Sequence, residues 1–213
     1  MSGIFNYDNP LFSSITKIVD FIFLNILWLV FSIPLVTFGA SSTAFYYTMN
    51  KVIRHGRSYV FREFFASFKA NFKQSTNMWL IIAVFLIVFY ADSRIMGMFA
   101  WGISPYAVSF FRILMVLCSV YMIYIFAYTA RFRAGMKLTF KNAGIMSVVH
   151  FPTSLLILAG EIVCGLGIFI LPILAVILPG IYCFICNLLL EKVFKRYMSD
   201  EDLEHEELMN SQG

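Results

Sequence analysis

FPTSLLILAGEIVCGLGIFILPILAVILPGIYCFICNLLL, residues 151–190, is a run of 40 residues with one charged side chain, Glu161. As a single helix it would extend about 60 Å at 1.5 Å per residue, twice the roughly 30 Å of a bilayer's hydrocarbon core. The run therefore divides. Pro172, which has no amide donor and breaks a helix interior, marks the turning point. Residues 151–171 and 172–190 read as a tight helical hairpin in lipid. Runs of the same character occur upstream at 15–38, 77–98 and 104–127. The expectation is an all-α polytopic membrane protein, one membrane domain over 1–213 with about five transmembrane helices. Pro34 in the first run and Pro179-Gly180 in the last should kink or break their helices, which lipid tolerates only where protein or water resatisfies the freed carbonyls.

Composition agrees with this. Hydrophobic residues make up 60% of the chain and charged residues 13%, against about 45–50% and 25% in soluble domains. That excludes an ordinary soluble fold and leaves little chain for a water-soluble catalytic domain. The net charge of +4 conceals a segregation, because six of the twelve acids fall between Asp200 and Glu207. The membrane body is basic and the tail, 198–213, acidic. Residues 1–12 lack the basic region, short apolar core and cleavage site of a secretory signal, so the first apolar run is expected to stay in the mature protein.

Orientation follows from lysine and arginine in the short connections, which remain cytoplasmic. Lys51, Arg54, Arg57, Arg62, Lys69 and Lys73 follow the first span; Arg131, Arg133, Lys137 and Lys141 follow the third; Lys192, Lys195 and Arg196 follow the fifth. The alternation puts the N-terminus outside and the C-terminus in the cytoplasm. Within the connector, 41–76, Phe61, Phe64, Phe65, Phe68 and Phe72 recur at helical spacing, with Arg62, Glu63, Lys69, Asn71 and Lys73 on the other face. Such a helix suits the cytoplasmic headgroup layer, either as a surface elbow or with its polar face docking another protein.

Charges inside spans are costly, which makes Asp20, Asp92, Arg112 and Glu161 the intramembrane candidates. The first three fall at one depth near the outer side, where Lys17 and Arg94 are close in sequence; an ion-pair clamp and a solute or ion site are both open readings. Glu161, flanked by Gly160, Gly165 and Gly167, suits either helix packing or a subunit contact, or else proton or solute coupling. Cys183 and Cys186 have the spacing of a redox pair but sit in an apolar helix without histidine, where they read as core packing. His55, His150 and His205 are scattered and form no metal-ligand set. There is no phosphate loop and no nucleophile elbow. The sequence predicts no enzyme, no catalytic residue, no cofactor and no nucleic-acid partner.

Phe5-Asn6-Tyr7-Asp8-Asn9-Pro10, the stretch from Asn25 to Ala44 with Trp28, Ser32, Pro34 and Gly39, then Tyr46-Tyr47 and the run from Tyr59 to Gln74, resemble the YesL-like family of small bacterial membrane proteins. The resemblance is specific in the N-terminal third and a matter of pattern beyond it. It implies association with carbohydrate uptake, as an accessory or assembly subunit of an oligosaccharide ABC importer in the bacterial cell membrane, with permease subunits as partners. The chain has no ATP-binding cassette and lacks the E-A-A…G loop of importer permeases, so it is not expected to be a standard permease. Candidate partner contacts are Asn25, Trp28, Ser32, Pro34, Gly39, Arg62, Lys69 and Lys73. A self-contained carrier using Glu161 and the outer charges, and a regulator of polysaccharide utilisation acting through the acidic tail, are the alternatives.

Overall fold

The computed structural model describes residues 10–56, 58–98 and 104–198, with side chains from Thr16 onward. The motif before Pro10, Arg57 and the acidic tail, His205 included, lie outside the described residues. Every regular element among the described residues is helical. The helices are α1 (Pro10–Ser32), α2 (Phe38–Thr48), α3 (Val60–Met98), α4 (Ser104–Arg131), α5 (Met136–Val149), α6 (Phe151–Ile170) and α7 (Leu178–Phe194). Three of them, α3, α4 and α6, are long and apolar enough to cross a membrane. They contain the segments expected at 77–98, 104–127 and, to within a residue, 151–171.

The prolines act as the sequence suggests at one end and differently at the other. α1 stops at Ser32, and Pro34 precedes a short 3-10 turn, Leu35–Thr37. The carbonyls released there are taken up by the protein. The Thr37 hydroxyl donates to Phe31 O at 2.6 Å and Pro34 O at 2.8 Å, and Trp79 Nε1 donates to Leu35 O at 2.6 Å. At the other end Pro172 opens a 3-10 turn, Pro172–Val176, and α7 begins at Leu178. Pro179 then sits in the first turn, where a missing amide removes no helical bond. It starts a helix and does not kink one, so the element expected over 172–190 is shorter at its N-terminal end.

The main departure is α2. The small-residue run from Gly39 to Ser42, at the start of the expected connector, opens a buried helix that continues as a π-helical segment, Met49–Arg54. Small side chains are what let it lie so close to α3. A Cβ on Gly39 would overlap the Ser75 carbonyl oxygen and Trp79 Cβ. Thr43 and Ser75 exchange a hydroxyl hydrogen bond at 2.9 Å across the same seam. Lys51 opposite Glu63, and Gly39 opposite Ser75 and Trp79, show the two helices running antiparallel.

α3 is continuous over 39 residues, about 58 Å long, so the aromatic helix expected as a separate elbow and the second span are one rod. The middle of its stripe meets protein: Phe31 of α1 lies 5.8, 5.0 and 5.3 Å, centroid to centroid, from Phe64, Phe65 and Phe68. Phe61 and Phe72 remain exposed. α1 thus runs from Asn25, against Gly180 at the start of α7, to Phe31, against the first half of α3. α4 returns along α3, with Phe89 near Phe111. α5 folds back on α4 through Tyr121, whose hydroxyl donates to Phe140 O at 2.7 Å.

Buried residues gather where α2, the first half of α3, the last turns of α4 and α7 meet. Among the described residues of α4 none before Val120 is buried, and α6 buries Ile157 alone.

Candidate functional site

Two polar arrangements and one cavity occupy this packed region. The first arrangement centres on Glu191 of α7, which is 1% exposed. Tyr46 of α2 donates its hydroxyl to Oε1 at 3.3 Å, and Arg131, at the end of α4, places Nε 3.4 Å from Oε2. One carboxylate thereby ties three helices. One turn earlier on α7, Asn187 accepts from Arg54 Nη1 at 3.1 Å. Residues four apart share a helix face, so Asn187 and Glu191 form one polar edge turned toward α2 and its π-helical extension.

The second is the pair of Lys51 and Glu63, 2.8 Å apart, with Tyr47 Oη accepting from the same ammonium at 3.3 Å. Partial burial works against the charged lysine, but the hydrogen bonds to Glu63 and Tyr47 outweigh it and hold Lys51 above the ordinary lysine range. Sequence reasoning did not single out the junction, because Glu191 falls one residue past the expected last span. Its partners lie far away in the chain, Tyr46 being 145 positions distant. The available signal was Asn187 and Glu191 on one face of a helix that ends in basic residues.

Between α1, α2, α4, α6 and α7 lies a half-open cavity of about 220 Å³. Trp28, Phe38, Phe45, Phe126 and Tyr182 form much of its wall, with Cys183 and Cys186 at its α7 side. Both thiols are free and buried. Glu161 reaches the cavity from α6 and accepts at Oε2 from the Ser119 hydroxyl, 3.1 Å away. The glycines beside Glu161 divide: Gly160 and Gly167 admit Tyr182 and Leu178 of α7, whereas Gly165 faces open space.

The charges expected at one depth are not paired with one another. Asp20 and Asp92 are half-buried, Arg112, Lys17 and Arg94 exposed, and among the described residues no ion pair or hydrogen bond joins any of them. The candidate partner residues separate into two groups. Asn25 is fully buried and its Nδ2 donates to Phe21 O at 2.8 Å; Trp28 Nε1 donates to Ser42 Oγ at 3.2 Å, and Ser32 Oγ to Ser41 Oγ at 3.1 Å. With Gly39 against α3, these four are engaged inside the chain. Pro34, Arg62, Lys69 and Lys73 are exposed.

Helices throughout the described residues, three of them apolar and of membrane-crossing length, define the class. Residues 21–93 match a family described as Protein of unknown function, DUF624. YesL-like proteins are members of that family, and the matched residues include most of those that carry the resemblance. No curated protein and no solved structure matches the chain.

Proposed function

We propose that the chain is an accessory or assembly subunit of a carbohydrate ABC importer, bound in the membrane to the permease subunits. In this reading α1 and α7 join α3, α4 and α6 as crossings, the N-terminus lies outside, and the C-terminus and the first half of α3 lie on the cytoplasmic side of a bacterial cell membrane. The observation that carries it is the asymmetry of that first half of α3. The middle of its aromatic face is occupied by Phe31, whereas Arg62, Lys69 and Lys73 are exposed without ion-pair partners among the described residues. A rod of about 58 Å outreaches a roughly 30 Å hydrocarbon core, so those cations stand at the membrane surface, where a partner's acidic side chains can meet them.

Affinity purification from native membranes in mild detergent, with lysine-directed crosslinking and mass spectrometry, tests the proposal. Recovery of permease subunits in near-fixed ratio, crosslinked at Lys69 or Lys73, is the expected result. Recovery of the protein alone sinks it. The cavity and Glu161 favour a second reading, a self-contained carrier, which predicts solute uptake by the purified protein in liposomes.

A further inference from the structure

We infer that the cavity between α1, α2, α4, α6 and α7 is a binding site for an organic ammonium ion, its hydrocarbon substituents against the aromatic wall and its charge beside Glu161. The argument begins with what surrounds the space. Trp28, Phe45, Phe38, Phe126 and Tyr182 line it, and Trp28 and Phe45 stack with ring centroids 5.3 Å apart. Aromatic faces carry negative potential and attract cations, most strongly where water is excluded, and aromatic-lined pockets are the common solution for alkylated ammonium groups.

A purely aromatic space would take any apolar molecule. Glu161 removes that ambiguity. Its Oε2 lies 3.1 Å from the Ser119 hydroxyl, which shares its hydrogen with Val116 O at 2.8 Å, and Oε1 has no partner among the described residues. A carboxylate with one oxygen anchored and the other free is held in place for a ligand that brings a positive charge. Such charge-assisted contacts are among the stronger polar ones. Among the described residues no cation of the protein pairs with Glu161: Arg112, two turns before Ser119 on α4, is exposed, and Arg131, toward the end of α4, pairs with Glu191.

The cavity's dimensions set the ligand's scale. About 220 Å³ is below the range of about 300–1,000 Å³ usual for drug-sized ligands, so the fit is to a compact head bearing short alkyl groups. Two sources share that chemistry, a choline-type lipid headgroup and a free amine. Small side chains keep the space open, since Ala127 lies in the wall where a larger residue would fill it.

The test is equilibrium dialysis of radiolabelled tetraethylammonium against the full-length protein in nanodiscs of phosphatidylglycerol alone. Saturable binding near one per chain is expected, weakened at least about tenfold by Glu161→Gln and blocked by Ala127→Leu. Size-exclusion elution and melting of both variants are checked alongside, and Ser119→Ala, which leaves the charge in place, should retain most of the binding. Repeating the measurement with phosphatidylcholine in the nanodisc separates the sources: competition identifies a lipid headgroup, undiminished binding a free amine. Absence of saturable binding by the folded protein, or equal binding by wild type and a folded Glu161→Gln, overturns the inference.

Discussion

Eight of the eleven residues of α2 are buried, whereas from Val84 to Met98 of α3 Ser93 alone is. α2 mixes small and hydroxyl-bearing residues with its apolar ones and the far half of α3 is mostly large and apolar, and the two differ as much in what covers them. α2 is enclosed by α1, α3, α4 and α7, and Ser41, Ser42, Thr43 and Tyr46 find polar partners on α1, α3 and α7. The far half of α3 presents Ile87, Val88 and Tyr90 outward beside an equally bare first half of α4. In water that surface would be an aggregation liability; in hydrocarbon it needs no cover, because lipid tails are as apolar as leucine. Association between helices in lipid must then come from close packing and hydrogen bonds, and both are concentrated at the end that holds Gly39, Thr43, Tyr46 and Glu191.

The sharpest way to break that contrast is Glu191→Leu. It removes a carboxylate that meets Tyr46 and Arg131 in a site 1% exposed, leaving a largely buried arginine without that acceptor. Losing one member of a buried pair costs about 3–5 kcal/mol. The variant should show a strongly lowered melting temperature in dodecyl maltoside and early proteolysis between α4 and α7. An unchanged melting curve would mean the junction contributes nothing to cohesion. The converse probe is Ile87→Arg at the bare end, 67% exposed. A charge at the centre of a span costs about 2.5–3.5 kcal/mol of insertion, so membrane yield should drop while the melting temperature of the inserted fraction stays near wild type. A melting loss as large as that of Glu191→Leu would show that protein, not lipid, covers this face.

Particular residues show why one end was easier to read than the other. The helices over 77–98, 104–127 and 151–171 were legible because lipid selects only for length and apolarity, and those properties are local. Pro34 and Pro172 were legible for the same reason. The burial of α2 was not: Gly39, Ala40 and Ser41 look alike in a turn and in a tight helix seam, and what decides between them is Ser75 and Trp79 on another helix. Glu191 was missed because its cost is offset by Tyr46 and Arg131, neither near it in sequence. Glu161 was found because it stands alone in an apolar run, but the aromatic wall beside it comes from α1, α2, α4 and α7, and no single segment displays it.

Gly39→Ala tests the seam directly. The added methyl would collide with a backbone carbonyl and with Trp79 Cβ, neither of which is the free end of a flexible chain. Over-packing of this kind costs about 1–3 kcal/mol. Gly165→Ala is the control, since nothing lies within 4 Å of its added Cβ and alanine is the better helix former. A lower melting temperature for Gly39→Ala with an unchanged or higher one for Gly165→Ala is expected. Equal behaviour would deny that close approach matters more at the packed end.

The smallest effect is expected from Lys51, which lies at the packed end but near its surface. Its side chain is 35% exposed, against 11% for Glu63, so solvent screens the pair and its contribution should stay below about 1 kcal/mol. Because Lys51 is held above the ordinary lysine range, the stabilisation is fully present below the unfolded-state pKa and is lost as pH rises through the folded-state value. Melting curves from neutral pH to strongly alkaline pH should therefore converge for wild type and Lys51→Met at the alkaline end, with a small gap between them at neutral pH. High salt should narrow that neutral gap while leaving the Glu191→Leu deficit nearly intact, because ions reach an exposed pair and not a buried one. If salt narrowed both gaps equally, the Glu191 junction would be as open to water as Lys51, and the distinction between a sealed interior and its margin would fail.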